Sequence, residues 1–259
     1  MPIISGRSAF LSILKDEGIT HLFGNPGTTE LPIMHALSEF PEINYILGLQ
    51  EAIVISMAEG YSRATGKLSA CNVHVAPGLG NAMGAIYNAK FVGSPIIITA
   101  GQQEQGHGLM EPQLSGPLVQ MAEPLVKWAI EVTRLEDLPR IMRRAAKVAL
   151  APPSGPVFIS LPGDILNTEK NIDLGGVTRI NDNVVPDDKT ISTIIKRIIK
   201  STKPMIISGH EVACTNAFDE IKKFAEVIGA AVYQQTVTHG SHYPSEHQNF
   251  MGFLPKNQT

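Results

Sequence analysis

The sequence predicts an α/β fold: a parallel sheet with helices on both faces, followed by an incomplete second α/β domain. Short apolar runs alternate with stretches of helical periodicity up to about residue 162. The runs are continuously apolar, as in Pro95-Ile-Ile-Ile98 and Pro156-Val-Phe-Ile159. Strands of that kind are buried on both faces, which is the signature of a parallel sheet between helical layers. After a polar stretch over residues 163–186 the alternation restarts and runs for only about two rounds. The resulting division is a first domain over 1–165, a linker over 166–186 and a partial central domain over 187–259.

Taken in order, Ser5 caps a first helix that runs to about residue 17, with Phe10, Ile13 and Leu14 inward and Gly18 as the stop. Residues 21–23 form a strand that breaks at the turn cluster Gly24-Asn-Pro-Gly27. A helix follows from about residue 29, with Pro32 in its first turn, and residues 45–47 are the next strand. The helix opening at Gln50 or Glu51 is expected to turn Ile53, Met57, Gly60 and Ala64 to one face and to end at Gly66. Residues 68–75 read as a strand, Pro77-Gly78-Leu-Gly80 as a turn, and the following residues as a helix to about residue 91. A buried strand over 95–100 ends at Gly101-Gln-Gln103.

Residues 105–116 carry His107, Glu111 and Pro112 among glycines and read as a long loop, a class often tied to function. A strand over 125–130 precedes an amphipathic helix over 134–150. In that helix Leu138, Met142, Ala145 and Ala149 form the apolar stripe, and Arg140, Arg143, Arg144 and Lys147 the other face, which reads as solvated in preference to a phosphate site. In the second unit a helix capped by Asp187 or Asp188 is expected to bury Ile191, Ile194, Ile195 and Ile198. A strand over 204–208, a helix over 215–228 and a strand over 230–233 follow, and residues 241–259 read as irregular. So small an open sheet is hard to stabilise alone, so the expectation is a chain that is cut or one built to be completed by another polypeptide.

Composition excludes several classes. Net charge is −3, with no basic arm or stripe, which argues against a nucleic acid partner. The two cysteines, Cys71 and Cys214, lie far apart and outside any CxxC, so this is no disulfide scaffold and a cytoplasmic location fits. The apolar runs are too short to span a bilayer, and the N-terminus lacks a basic-then-apolar signal.

Ligands of open parallel sheets bind beyond the carboxyl ends of the strands. Four candidates fall there: the turn at Gly24–Gly27, Glu51, His74 with the glycines up to Asn81, and Gly101-Gln-Gln103. Each has a plain structural alternative. An acid in the first turn of a helix is favoured by the dipole alone, and a single histidine is commonly structural. The Pro77–Gly80 segment could cradle a phosphate, but it lacks the lysine of a P-loop and the spacing of a dinucleotide fingerprint. Convergence of all four on one sheet edge is what makes them a candidate site.

The order and spacing of several motifs carry a resemblance. They are Phe23-Gly-Asn-Pro-Gly27-Thr-Thr-Glu-Leu-Pro32, Leu49-Gln-Glu51-Ala, Ala58-Glu-Gly-Tyr61-Ser-Arg-Ala-Thr-Gly66, Asn72-Val-His74-Val-Ala-Pro-Gly78-Leu-Gly-Asn81, and Thr99-Ala-Gly-Gln-Gln103. Pro124-Leu-Val-Lys-Trp128 and Gly155-Pro-Val-Phe-Ile-Ser-Leu-Pro162-Gly-Asp164 continue it. This set resembles the N-terminal, pyrimidine-binding part of thiamine-diphosphate enzymes of the acetolactate synthase and 2-oxo-acid decarboxylase superfamily. Within it the benzoylformate decarboxylases are most similar, because of Asn25 and His74.

The resemblance implies roles. Glu51 would hydrogen-bond a ring nitrogen of the thiamine diphosphate aminopyrimidine and so drive the tautomer that activates the cofactor. His74 would transfer protons to substrate-derived groups. Asn25, Pro26, Gly27 and Asn81 would contact cofactor, and Thr28, Gln102 and Gln103 a small 2-oxo acid. No Gly-Asp-Gly occurs in the chain, so the Mg²⁺ and diphosphate site would lie on a C-terminal domain, with no metal ligand in these residues. That domain could be a separate subunit, and this chain alone would be inactive. Ser208-Gly209-His210-Glu211 replaces the glycines expected of a flavin or nucleotide site on the central domain. The family pairing implies a homodimer or dimer of dimers through the pyrimidine-binding domain, with Ala82, Gly84, Ala85 and Ala89 as the packing face. Two rival readings are acetolactate-synthase-like carboligation, against which His74 weighs, and a non-catalytic truncated interaction protein.

Overall fold

The structure, a computed structural model, describes residues 3–179, 184–236 and 241–254. The chain divides into two compact units, Met1–Asp182 and Asn183–Thr259. In the first, β1 (Ile3–Ser5) and α1 (Gly6–Asp16) lead to β2 (His21–Gly24), α2 (Leu31–Ala36), β3 (Asn44–Leu47) and α3 (Glu51–Thr65). Next come β4 (Ser69–Val73), α4 (Val75–Val92), β5 (Ile96–Gln102), α5 (Leu118–Ala122) and β6 (Ala129–Glu131). The unit closes with α6 (Leu138–Leu150), β7 (Val157–Pro162), α7 (Gly163–Asn167) and β8 (Glu169–Asn171).

Six strands form one parallel sheet in the order β3-β2-β4-β5-β7-β6. The period of two splits each strand between two cores. Leu22, Ala70, Ile97, Val157 and Ile159 pack with α1, α2 and α6. Phe23, Cys71, Val73, Ile98, Ala100 and Phe158 pack with α3, α4 and α5. Strand order reverses between β2 and β4, and such a switch point opens a crevice at the carboxyl ends of the strands.

Local chemistry sets the helix ends. Ser5 caps α1 by accepting the Ser8 N–H at 3.2 Å. The Gln50 side chain caps α3, accepting from Ala52 N at 2.8 Å and Ile53 N at 3.2 Å. Gly66 ends α3 in the left-handed region, at φ 67°.

Several sequence expectations are corrected. The inward face of α3 is Val54, Ile55, Ala58 and Ser62, while Ile53 is 51% exposed and Gly60 and Ala64 face solvent. Ser62 occupies a core position because its hydroxyl donates to Lys67 O and Pro95 O, so a count of apolar side chains alone rotates the face. Pro77-Gly-Leu-Gly80 is not a turn. α4 begins at Val75, and a proline in the first turn costs no hydrogen bond, since the first four N–H groups have no helical partner. Ala82, Ala85 and Ala89 pack inward, so of the expected pairing residues only Gly84 is exposed.

The strand expected over 125–130 is a 3₁₀ turn at Glu123–Leu125 followed by the shorter β6. The loop over 105–116 opens with a 3₁₀ turn at Gln105–Met110. Part of the expected linker is regular structure: α7 buries Ile165 and Leu166, and β8 pairs antiparallel with β1. Arg143 does not lie on a solvated face. It is 9% exposed and donates to Glu17 Oε1 at 2.7 Å and Asp16 Oδ2 at 2.8 Å, and to the carbonyls of Leu174 and Gly175.

The second unit holds α8 (Asp188–Ile199), β9 (Met205–Ser208), α9 (His210–Cys214), α10 (Phe218–Ile228), β10 (Ala231–Gln234) and β11 (Phe250–Phe253). Its three strands are parallel in the order β11-β10-β9. The helix expected over 215–228 is α10, which starts three residues later, at Phe218; the short α9 precedes it, and Asn216, at φ 53°, lies between the two. β11 lies in a stretch expected to be irregular. The isoleucines of α8 are not buried: Ile191, Ile194 and Ile195 are 38–48% exposed. Ile198 is half-buried, and no residue of the helix is fully buried.

The Arg143 cluster ties α6 to the end of α1. Glu17 also lies 2.6 Å from Arg179, an ion pair outside hydrogen-bond geometry, so it keeps one cation if Arg143 is lost. Arg143→Ala is therefore expected to cost about 3 kcal/mol, the lower end of the range for breaking a buried pair. A shift in the urea midpoint with unchanged slope is the check.

Candidate active site

The crevice gathers side chains from the ends of β2, β3, β4 and β5. After β2, the turn Asn25-Pro26-Gly27 leads into a 3₁₀ turn at Thr28–Glu30. After β3, Gln50 caps α3 and places Glu51 in its first turn, where backbone N–H groups favour a negative charge. Glu51 is 7% exposed. Its Oε1 accepts from Asn25 Nδ2 at 3.1 Å and its Oε2 from Asn81 Nδ2 at 3.1 Å. Gly78, on the first turn of α4, passes alongside; a Cβ there would stand 3.1 Å from Glu51 Oε1.

His74 is the residue before α4. The next residue, Val75, takes φ 45°, a conformation rare for a β-branched side chain. That kink separates the strand direction from the helix direction and turns His74 into the crevice. The imidazole lies flat on Gly27, whose missing Cβ would stand 2.3 Å from ring atoms. His74 Nδ1 is 2.8 Å from Glu30 Oε2 and 3.2 Å from Thr29 Oγ1.

Glu30, fully buried, has no place among the sequence candidates. Its Oε2 also accepts the Gly27 N–H at 2.8 Å, and its Oε1 accepts the Gly101 N–H at 2.7 Å and the Thr29 hydroxyl at 2.9 Å. In sequence Glu30 stands three residues after Gly27, the spacing of half a capping box, which disguises its longer-range bonds. Behind it, the Tyr45 hydroxyl donates to Asn72 Oδ1 at 2.9 Å. Burial, and then the charge of Glu30, raise the Tyr45 phenol above its ordinary range, so it stays a neutral donor.

Thr28, Gln102 and Gln103 line one cavity of about 240 Å³ with Pro32, His107 and Asn167. The two glutamine amides are engaged: Gln102 Nε2 donates to Gly116 O at 3.0 Å and Gln103 Nε2 to Gln113 O at 3.2 Å. They hold the 105–116 segment against the strand end. The structure thus brings Asn25, Gly27, Glu51, His74 and Asn81 into one cluster, with Pro26 in the turn that shapes it. Thr28, Gln102 and Gln103 form the wall of an adjoining cavity. Among the described residues no group of three or more His, Cys, Asp or Glu is placed to hold a metal, and no helix is long and apolar enough to cross a membrane.

Comparison with known proteins assigns the family. Residues 4–116 match the thiamine pyrophosphate enzyme N-terminal TPP-binding domain, and residues 191–259 the central domain of the same enzymes. The chain belongs to the thiamine pyrophosphate enzymes, as their N-terminal and central parts. It is similar to benzoylformate decarboxylase of Pseudomonas aeruginosa, 34% identical over 96% of this chain and 47% of that protein. It is also similar to the large subunit of acetolactate synthase from Buchnera aphidicola, 29% identical over 100% of this chain and 46% of the relative. Among solved structures, the thiamine diphosphate-dependent 4-hydroxybenzoylformate decarboxylase of Rhodococcus jostii superposes with a TM-score of 0.90. It shares 33% identity, over 97% of this chain and 48% of that one. The chain spans about half the length of these relatives.

Glu30 requires glycine at 101, where a Cβ would stand 2.3 Å from its Oε1 and 2.5 Å from Thr29 Oγ1. Gly101→Ala is expected to cost about 1–3 kcal/mol, the range for overpacking a buried site. Urea unfolding of the variant beside wild type measures it.

Proposed function

We propose that this chain supplies the pyrimidine-side half of the active site of a thiamine-diphosphate-dependent 2-oxo-acid decarboxylase or carboligase, of the benzoylformate decarboxylase kind. The observation that carries the proposal is the Glu51 carboxylate: buried, in the first turn of a helix, held through both oxygens by Asn25 and Asn81, with glycine beside it at 78. A polar group with a protonatable ring nitrogen fits such a carboxylate, so the residues present suit the aminopyrimidine. They do not suit the diphosphate or its Mg²⁺, because no Gly-Asp-Gly occurs in the sequence. That half of the site is proposed to lie on a C-terminal domain outside these residues.

Bound thiamine diphosphate would supply the electron sink for loss of carboxylate from a 2-oxo acid. The remaining work falls to this chain. Glu51 holds and exchanges a proton at the pyrimidine nitrogen, and Asn25 and Asn81 fix its two oxygens. His74 moves protons to and from substrate-derived groups across the crevice. Thr28 offers a hydroxyl at the cavity wall, and Gln102 and Gln103 set the position of the segment that borders it. Acetolactate synthase relatives share the fold, and the ionisable His74 favours the decarboxylase reading.

Self-association is part of the proposal. Tyr87 and Phe91 lie one turn apart on α4 and are 55% and 65% exposed, near the exposed Gly84. Large exposed aromatics on one helix face mark an association surface, and a twofold pairing is the default symmetry. Phe91→Glu is expected to weaken that association by roughly tenfold or more, as for an interface anchor. Sedimentation at high micromolar concentration reads it.

The central test is Glu51→Gln in an enzyme completed with a C-terminal half that carries Gly-Asp-Gly. Gln keeps the shape but cannot exchange the proton. Hydrogen–deuterium exchange at the reactive carbon of bound cofactor is expected to slow by roughly 10²–10⁴-fold. His74→Ala is expected to leave that exchange nearly unchanged. Wild-type exchange in Glu51→Gln would remove Glu51 from this role.

A further inference from the structure

Glu30 is enclosed, and every neighbour of its carboxylate is a donor. Two are backbone N–H groups, of Gly27 and Gly101, which cannot act otherwise. The third is the Thr29 hydroxyl, whose single proton goes to Glu30 Oε1. A hydroxyl that has given its proton away presents only lone pairs elsewhere. His74 Nδ1 therefore faces two acceptors, Glu30 Oε2 at 2.8 Å and Thr29 Oγ1 at 3.2 Å. A nitrogen between two acceptors must carry the proton. Nε2 of the same ring has no partner among the described residues.

We infer that Glu30, assisted by Thr29, is a positioning residue that fixes His74 as the Nδ1–H tautomer and leaves Nε2 as the nitrogen that exchanges protons in the crevice. Which nitrogen of a histidine is protonated is set by the bond its other nitrogen makes. Gly27 contributes a flat support: its Cα lies against the ring, so the imidazole cannot rotate toward that side without meeting backbone. The ring is thus held by an anion in the ring plane and by backbone across one face. When Nε2 takes up a proton, the cation formed is paired at once with Glu30, which has no lysine or arginine partner among the described residues. This use of Nε2 rests on the proposed role of His74 in proton transfer. The tautomer itself does not, and it is tested without cofactor.

The experiment is ¹⁵N–¹H correlation through the ring protons of histidine-labelled chain, at an alkaline pH chosen so that the ¹⁵N shifts are those of neutral rings. The eight histidines are sorted by the loss of one set of signals in His74→Asn. His74 is expected to show a protonated Nδ1 and an unprotonated Nε2. In Glu30→Ala the ratio of Nδ1–H to Nε2–H is expected to fall by roughly tenfold or more, the worth of a hydrogen bond to a charged group. Thr29→Val keeps the 2.8 Å bond to Glu30 and is expected to retain the wild-type tautomer. A wild-type His74 that is mainly Nε2–H would overturn the inference. So would an unchanged ratio in folded Glu30→Ala. Should Glu30→Ala not fold, the wild-type and Thr29→Val spectra decide. Failure here would leave the Glu51 exchange test untouched, so the two readings fall separately.

Discussion

The site depends on one buried carboxylate. Burying an ionised acid costs several kcal/mol unless its oxygens are satisfied, and Glu30 is fully buried. Its donors come from three separate places in the chain: the turn after β2, the junction of β4 and α4, and the end of β5. Satisfying the charge therefore locks three strand ends to one another at the switch point of the sheet. The glycines at 27 and 101 follow from the same need. A side chain at either would meet the histidine ring or the carboxylate at 2.3 Å. The unfavourable φ of Val75 belongs here too: the strain is held by a bond network on one side and by a fully buried valine side chain on the other.

Much of this was legible because the chemistry is local. Continuous apolar runs identify the parallel sheet, and the carboxyl-end rule places Asn25, Glu51, His74 and Gln102 on one edge before any coordinates. Glu30 was not legible, because its bonds to His74 and Gly101 are set by tertiary approach while its spacing from Gly27 looks like an ordinary cap. The face of α3 was misread because Ser62 acts as a core residue through the Lys67 carbonyl just past the helix end and the Pro95 carbonyl that only the fold brings near. Arg143 was misread for the mirror reason. A helical wheel assigns a cation to solvent, but two acids at the end of α1 make a buried place for it. In each case a polar group sits inside because a distant partner satisfies it, and periodicity carries no information about distant partners.

The second unit shows a different limit. Its helix α8 has the isoleucine stripe of a buried helix, yet the stripe is exposed. Sequence pattern reports what a surface is suited to contact, and here the described residues cover the stripe only in part. β11 shows the converse: Gly252, at φ 100°, and polar neighbours obscure the strand signal, but pairing with β10 satisfies its backbone and makes it the sheet's edge. Strand formation in this unit is decided by pairing more than by propensity.

The two buried acids of the first unit divide their work through hydrogen-bond capacity. A carboxylate offers about four lone-pair sites. Glu30 uses that capacity on Gly27, Gly101, Thr29 and His74, so it holds a shape and has nothing left to give. Glu51 accepts from two side-chain amides and keeps the rest of its capacity. Its surroundings are arranged to leave that capacity usable, since Gly78 passes Oε1 without a side chain. An acid that is aligned but unsaturated can take or release a proton with an incoming group. A saturated acid can only orient its neighbours. On the proposed reading this is why the chain carries both: Glu51 meets the cofactor, and Glu30 serves the histidine that meets the substrate.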